Sequence, residues 1–207
     1  GSLFWVLTLN SLLAYSAIYA FLGVANDLLA TRFGFDDQKA GDLVSIIYIM
    51  AAIISPFFAM IIDRFGKRDL WLNLSTVLLV VANALFSFLP NYEHGSSMSL
   101  YPVMSFGIGY AVYTAVIWPC IPIVVSEKVC GTAYGIATAF QNGMASMVVL
   151  GAGYIQDETT SYKGGYFWSE IVLLIFSASA LIAGIWLSHL DTRNGRILAT
   201  PNIKDED

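Results

Sequence analysis

The stretch FFAMIIDRFGKRDLW (residues 57–71) gathers Asp63, Arg64, Lys67, Arg68 and Asp69 between two long apolar runs. The charge stands out because the 207-residue chain is 57% hydrophobic and only 12% charged, with a mean hydropathy of +0.68. A soluble domain is about half apolar and about a quarter charged. Each flank is long enough to cross a bilayer, which takes about 20 mainly apolar residues in a helix. The flanks therefore read as membrane helices and the charged stretch as a tight loop at one membrane face.

Working outward from this loop, the apolar runs predict six spans, over about 3–24, 43–62, 70–89, 100–125, 132–155 and 166–190. The fold class is an all-α, polytopic membrane protein. An even number of spans puts both termini on one side. The loops and tail on that side hold Arg64, Lys67, Arg68, Lys128, Arg193, Arg196 and Lys204, against Arg32, Lys39 and Lys163 on the other. The basic excess predicts that both termini are cytoplasmic. Residues 1–190 read as one six-helix unit, with repeat units over about 1–90 and 98–190. The polar tail, 191–207, is expected to be mobile.

The rest of the composition excludes several function classes. There is no basic stripe with interleaved aromatics, so nucleic acid is not an expected partner, and the net charge of −5 sits in loops and tail. Cys120 and Cys130, ten positions apart, fit neither a metal knuckle nor a redox pair. His94 and His189 fall on opposite sides of the predicted topology. No metal, cofactor or catalytic constellation is expected, and the reading is not an enzyme. GAG at 151–153 ends a membrane helix with no strand before it, so it is not a dinucleotide loop. The NLS sequon at Asn73 sits at a cytoplasmic helix end and is expected to stay unmodified. The opening GSLFWV carries neither Met nor the basic region of a secretory signal, and reads as the start of a fragment or a processed chain.

The loop itself has a pattern. Gly66 permits a sharp turn, Asp63 can accept hydrogen bonds beside a helix N-terminus, and the basic residues hold one membrane face. DRFGKR resembles the signature loop of the major facilitator superfamily, roughly G-x-x-x-D-R-x-G-R-R, with Ala59 replacing the first glycine. YIMAAIISPFFAMIIDRFGK, IWPCIPIVV, GTAYGIATAFQN and GYIQD extend the resemblance, over most of the chain, to a family of lysosomal dipeptide transporters within that superfamily. The resemblance implies half of a twelve-helix fold, built as a 3+3 inverted repeat, and hence a missing N-terminal six-helix half. It also implies alternating access around a midplane site, with Asp63, Arg64, Gly66, Lys67 and Arg68 as a conformational latch. Membrane lipids, a small peptide substrate and a glycosylated single-span accessory protein are the implied partners. A lysosomal or other endomembrane location follows.

The helices carry their own signals. Gly131, Gly135, Ala139 and Gly143 recur every four residues, a stripe of small side chains that predicts a helix-packing face. Gln141 lies on the other side of that helix, with Asn142 between the two faces. Buried amides in a membrane need partners, here either neighbouring helices or a substrate. Ser11, Tyr15 and Tyr19 in the first span, and Tyr110, Thr114 and Trp118 with Tyr113 in the fourth, form polar-tipped stripes. They line either a substrate path or an interfacial aromatic belt. The substrate-binding set expected is Tyr15, Tyr113, Trp118, Gln141 and Asn142. Pro119 and Pro122 interrupt the fourth span, as a gate hinge or a static bend. Intramembrane charges are costly and functional. Here only Asp27 and Glu170 approach the span ends, and Glu170 is expected to make a structural hydrogen bond. The lack of a central acid points to a uniporter. The competing reading is a degenerate half serving as a structural subunit of a larger membrane complex, or a half-size transporter that dimerises.

Overall fold

The computed structural model describes residues 1–159 and 165–200. Lys163 and Lys204, used in the orientation count, lie outside the described residues, as does 201–207 of the tail. Six long helices follow one another: α1 (Ser2–Phe33), α2 (Asp37–Phe65), α3 (Arg68–Phe88), α4 (Leu100–Val124), α5 (Cys130–Glu158) and α6 (Tyr166–Arg193). All but α5 are long and apolar enough to cross a membrane. The glycines, alanines and amides of α5 dilute its apolar character. The chain is a multi-pass membrane protein.

Two helices outrun their predicted spans. The 32 residues of α1 rise about 48 Å at ~1.5 Å each, against a hydrocarbon core of about 30 Å, so α1 protrudes from the bilayer. It stops at Gly34, which is left-handed at φ 68° and whose place for a Cβ is filled by the Glu93–His94 backbone. α2 begins at Asp37 because Asp36 caps it, accepting from the Lys39 amide at 2.9 Å and pairing with the Lys39 ammonium at 3.3 Å. These bonds hold the Asp36 carboxyl below the usual carboxylate range, the backbone bond contributing most.

The packing repeats itself across the two triplets. α1 packs on α5 and α6 as α4 packs on α2 and α3, and α3 meets α6 on the outer side. This is the pairing that an inverted repeat of α1–α3 and α4–α6 produces. Phe21 of α1 ties the two triplets at the centre, its ring tilted against Phe86 of α3 and Phe106 of α4 at centroid distances of 4.7 and 4.2 Å.

Both ends of the bundle satisfy the orphan backbone groups of helix termini. At the end where α3 finishes, the fully buried Arg32 guanidinium donates to the carbonyls of Phe86 and Leu89 and to Asn91 Oδ1. In return, the amides of Tyr92, Ser96 and Gly95 donate to the carbonyls of Arg32, Phe33 and Gly34. Arg32 is therefore an internal clamp, not a loop charge. At the loop end, residues after α6 fold back, contrary to the mobility expected of them up to Thr200. The amides of Lys67 and Arg68 donate to the carbonyls of Ala199 and Leu198 at 3.1 and 3.0 Å. Leu198 is fully buried, and its amide donates to Asp191 Oδ1 at 3.1 Å.

Candidate functional site

The charged loop is built around one side chain. Arg68, buried at the start of α3, donates through one amino nitrogen to Asp63 at 2.9 Å and through the other to the Thr200 carbonyl at 2.7 Å. Asp63 is partly exposed, so the pair joins a solvated carboxylate at the end of α2 to an inner guanidinium. Gly66, at φ 66° and ψ −138°, occupies backbone space open to glycine, and Lys67 follows at φ 53°. Arg64 and Lys67 are exposed.

Midway along the bundle, the aromatic stripes come together. Trp118 Nε1 donates to the Tyr15 hydroxyl at 2.9 Å. Tyr15 packs against Tyr19 and, edge-on, against Tyr113. Trp118 stacks near-parallel with Tyr134 of α5 at 6.2 Å. Pro122, lacking an N–H, leaves the Trp118 carbonyl without its helical donor, and the Tyr134 hydroxyl fills that place at 3.0 Å. α4 stays continuous through both prolines.

The structure redistributes the expected binding set. Tyr113 is fully buried, and its hydroxyl donates to Asn10 Oδ1 at 2.8 Å, while Asn10 Nδ2 donates to the Ala180 carbonyl at 2.7 Å. Asn10, which the sequence reading passed over, joins α1, α4 and α6. Its only sequence signal is an amide, beside Thr8 and Ser11, within an apolar run. Tyr15 is also buried, beneath Trp118 and Tyr19. Gln141 is buried and accepts from Ser11 at 3.2 Å, so its amide serves a neighbouring helix. Trp118 remains half-buried and Asn142 exposed. Asn142 lines a recess of about 530 Å³ between α1 and α5, with Tyr19, Ala145, Ser146, Val149 and Leu150.

The open face that results is polar-tipped and crosses four helices. Besides Trp118 and Asn142, it carries Tyr19 of α1, Tyr48 of α2, and Tyr110 and Thr114 of α4. Thr114 Oγ1 and Ser55 Oγ of α2 approach to 3.4 Å. Tyr48 and Ser55, seven residues apart, share one side of α2. Tyr48 and Ser55 were missed because α2 reads as almost wholly apolar.

Two other expectations change. The small-residue stripe of α5 does not pack inside this chain: a Cβ at Gly131, Gly135 or Gly143 meets nothing within 4 Å, and Ala139 is exposed. The packed face is the opposite one, Ala133, Ala137, Gln141, Ala145, Val148 and Ala152. Its side chains are the ones that meet α1, and the stripe looks outward. Glu170 makes no hydrogen bond among the described residues; both of its carboxyl oxygens are buried without a hydrogen-bond partner there. The donors of nearby Arg32 reach the carbonyls that end α3.

A family model of the major facilitator superfamily matches residues 5–201. The chain belongs to the major facilitator superfamily. Among its curated relatives, the lysosomal dipeptide transporter MFSD1 of Gallus gallus is 26% identical over 92% of this chain and 41% of its own length. The Homo sapiens protein of the same name is 25% identical over 92% and 39%, and that of Danio rerio 27% over 90% and 38%. The chain thus spans about two-fifths of the length of these relatives. Tetrameric PepTSo2 superposes with a TM-score of 0.80 at 16% identity, covering 99% of this chain and 44% of that one. A bacterial homologue of the human drug peptide transporters PepT1 and PepT2 gives 0.76 at 16% identity, covering 98% and 44%. These similarities fix the fold as one six-helix unit of a major facilitator protein. Within that fold, the pair of buried Arg68 and partly exposed Asp63 joins α2 to α3.

Proposed function

We propose that this chain is the C-terminal half of a transporter that carries dipeptides across a lysosomal or related endomembrane by alternating access, as a uniporter. The observation that carries the reading is the open face of Trp118, Tyr19, Tyr48, Tyr110, Thr114 and Asn142. Hydroxyls, an amide and an indole at membrane depth are costly against lipid. They belong on a wall of a water-filled path, where flat rings and neutral donors suit peptide groups. The dipeptide-transporter names of the relatives supply the substrate class.

On this reading an N-terminal six-helix half closes the path from the other side and meets the bare stripe of Gly131, Gly135, Ala139 and Gly143. The loop of Asp63, Arg64, Gly66, Lys67 and Arg68 is a cytoplasmic latch, and both termini face the cytoplasm. A glycosylated single-span partner docks at the lumenal end. Uniport follows from the open face, which carries no carboxylate among the described residues.

The test is uptake by the full-length parent protein in liposomes. Saturable dipeptide uptake that is unchanged by an imposed proton gradient is expected. Correctly inserted protein without uptake would overturn transport and favour a structural subunit, whereas uptake that needs the gradient would overturn uniport alone.

A further inference from the structure

Glu170 is an acid that the open face does not use, since α6 contributes no residue to that face. It is fully buried, in a helix long and apolar enough to cross a membrane. Both of its carboxyl oxygens lack a hydrogen-bond partner among the described residues. Contacts on either side of it along α6 fix its place. Four residues before it, the Tyr166 hydroxyl donates to Asp27 of α1. Three before it, Phe167 packs edge-on against Phe88 of α3, with ring centroids 6.4 Å apart. Seven after it, Ser177 Oγ accepts from Asn83 of α3 at 2.7 Å. Tyr166, Glu170, Leu173 and Ser177 are all on the buried side of α6. The carboxyl therefore lies in the seam where α6 meets the ends of α1 and α3, at the opposite end of the bundle from the Asp63 loop.

Few occupants suit such a carboxyl. An ionised acid in this seam loses its water, and a charge at a distance does not offset that loss without hydrogen bonds to the ion itself. The charged and titratable groups around the seam are Asp27 and buried Arg32 of α1, Tyr166 of α6 itself, exposed Asp157 and Glu158 at the end of α5, and Tyr92, Glu93 and His94 after α3. Residues 83–88 of α3 contribute none. Arg32 directs donors to the carbonyls of Phe86 and Leu89 and to Asn91, and no donor among the described residues bonds Glu170. No group of His, Cys, Asp and Glu that could hold a metal ion occurs among the described residues. The occupant that fits is a proton, which turns the carboxylate into a neutral acid that an apolar seam tolerates far better.

We propose that Glu170 is a proton-binding site that locks this end of the bundle. The carboxyl is the neutral acid while α6 is closed against α1 and α3, and it gives up its proton to water when the seam opens. The opened carboxyl meets water, where a glutamate is ionised above about pH 4.3. The closed state thus holds one more proton than the open one, and rising pH favours opening. On the orientation proposed above this end is lumenal, so the lock reads the pH of the lumen. The proton is not cargo, because the site lies off the open face, and the lock does not depend on which substrate is carried.

The experiment uses the full-length protein in detergent, as the wild type and as Glu170→Gln, which keeps the shape of the neutral acid. The infrared difference between the two at neutral pH should show the C=O stretch of a protonated carboxyl in the wild type, shifted in heavy water. Carboxylate stretches in its place would overturn the proton site and make Glu170 a counter-charge to Arg32. Hydrogen exchange reads the lock. Protection of the amides of residues 171–174, relative to the intrinsic rate at each pH, should fall in the wild type by up to about tenfold per pH unit between about 5.5 and 7.5. It should stay level in Glu170→Gln, and the amides of mid-α4 should stay level in both. A level wild-type profile would overturn the lock, and the wild type alone decides this arm if the variant does not fold. An equal fall in a folded Glu170→Gln would also overturn it, by assigning the pH dependence to another group.

Discussion

The Tyr134 hydroxyl donates to the main-chain carbonyl of Trp118 at 3.0 Å, the carbonyl whose helical donor is missing because residue 122 is proline. The side chain of one helix thus completes the backbone of another. Tyr134→Phe should cost about 1 kcal/mol of stability in the wild type and close to nothing in a Pro122→Ala background, where the helix supplies its own donor. Thermal unfolding of the four proteins in detergent closes the double-mutant cycle. An equal cost in both backgrounds would show that the bond does not compensate for the proline.

Tyr113 separates architecture from recognition. Its hydroxyl is spent on Asn10, inside the bundle. Tyr113→Phe leaves Asn10 Oδ1 buried without a donor and should destabilise by about 1–3 kcal/mol, with KM for substrate unchanged. A raised KM at undiminished stability would return Tyr113 to the binding set.

Arg32 and Glu170 should respond unequally. Arg32→Met strands the carbonyls of Phe86 and Leu89 and should destabilise by about 3 kcal/mol or more, with Arg32→Lys recovering only part of it, since a single ammonium cannot span three acceptors. Glu170→Gln breaks no hydrogen bond to the described residues, because the carboxyl makes none with them, and should fall within about 1 kcal/mol of the wild type. Unfolding midpoints in detergent measure both.

The fold-back of residues 195–200 predicts local protection. Truncation after Asn194, or Leu198→Asp, should speed hydrogen exchange at the amides of Lys67 and Arg68 and leave the amides of mid-α4 unaffected. Unaltered exchange at Lys67 and Arg68 would contradict the backbone pairing seen here.

The cap of α2 gives a pH dependence of fixed sign. The carboxyl of Asp36 titrates below its ordinary range because its charged form is bonded to Lys39. Its contribution is therefore complete above the unfolded value near ~3.9 and disappears as pH falls through the lower folded value. Protection of the Lys39 amide, its exchange relative to the intrinsic rate at each pH, should be full at pH 5 and fall only below about pH 4. Protection already lost at pH 6 would rule Asp36 out as the cause.

How legible all this was depended on the scale of the signal. The six helices could be read because membrane spans require long apolar runs, and the loop at Gly66 because sharp turns demand particular residues. The protruding ends of α1 and α2 were missed because hydropathy locates lipid, not helix ends; the Asp36 cap and Gly34 were the signals to use. Four-residue spacing found the stripes of Tyr15 with Tyr19 and of Tyr110 with Trp118. It could not tell which side of each helix stays open, since Tyr113 and Tyr110 are neighbours in sequence and differ only in the face they occupy. The stripe at Gly131 shows the converse limit: periodicity finds a smooth face without naming its partner. Asn10, Arg32 and Leu198 act through contacts with residues more than fifty positions away, which no local pattern contains.

The pairing of Arg68 with the Thr200 carbonyl spans 132 positions. During synthesis the turn at Gly66 emerges from the ribosome long before the residues that complete it. That corner of the protein must wait, with its backbone donors on water or a chaperone, until the last helix has been made. Assembly of this face is thus a late event: a ribosome stalled before residue 198 would still enclose α6 itself, and the corner at Gly66 would stay unfinished until both α6 and the residues after it had left the tunnel.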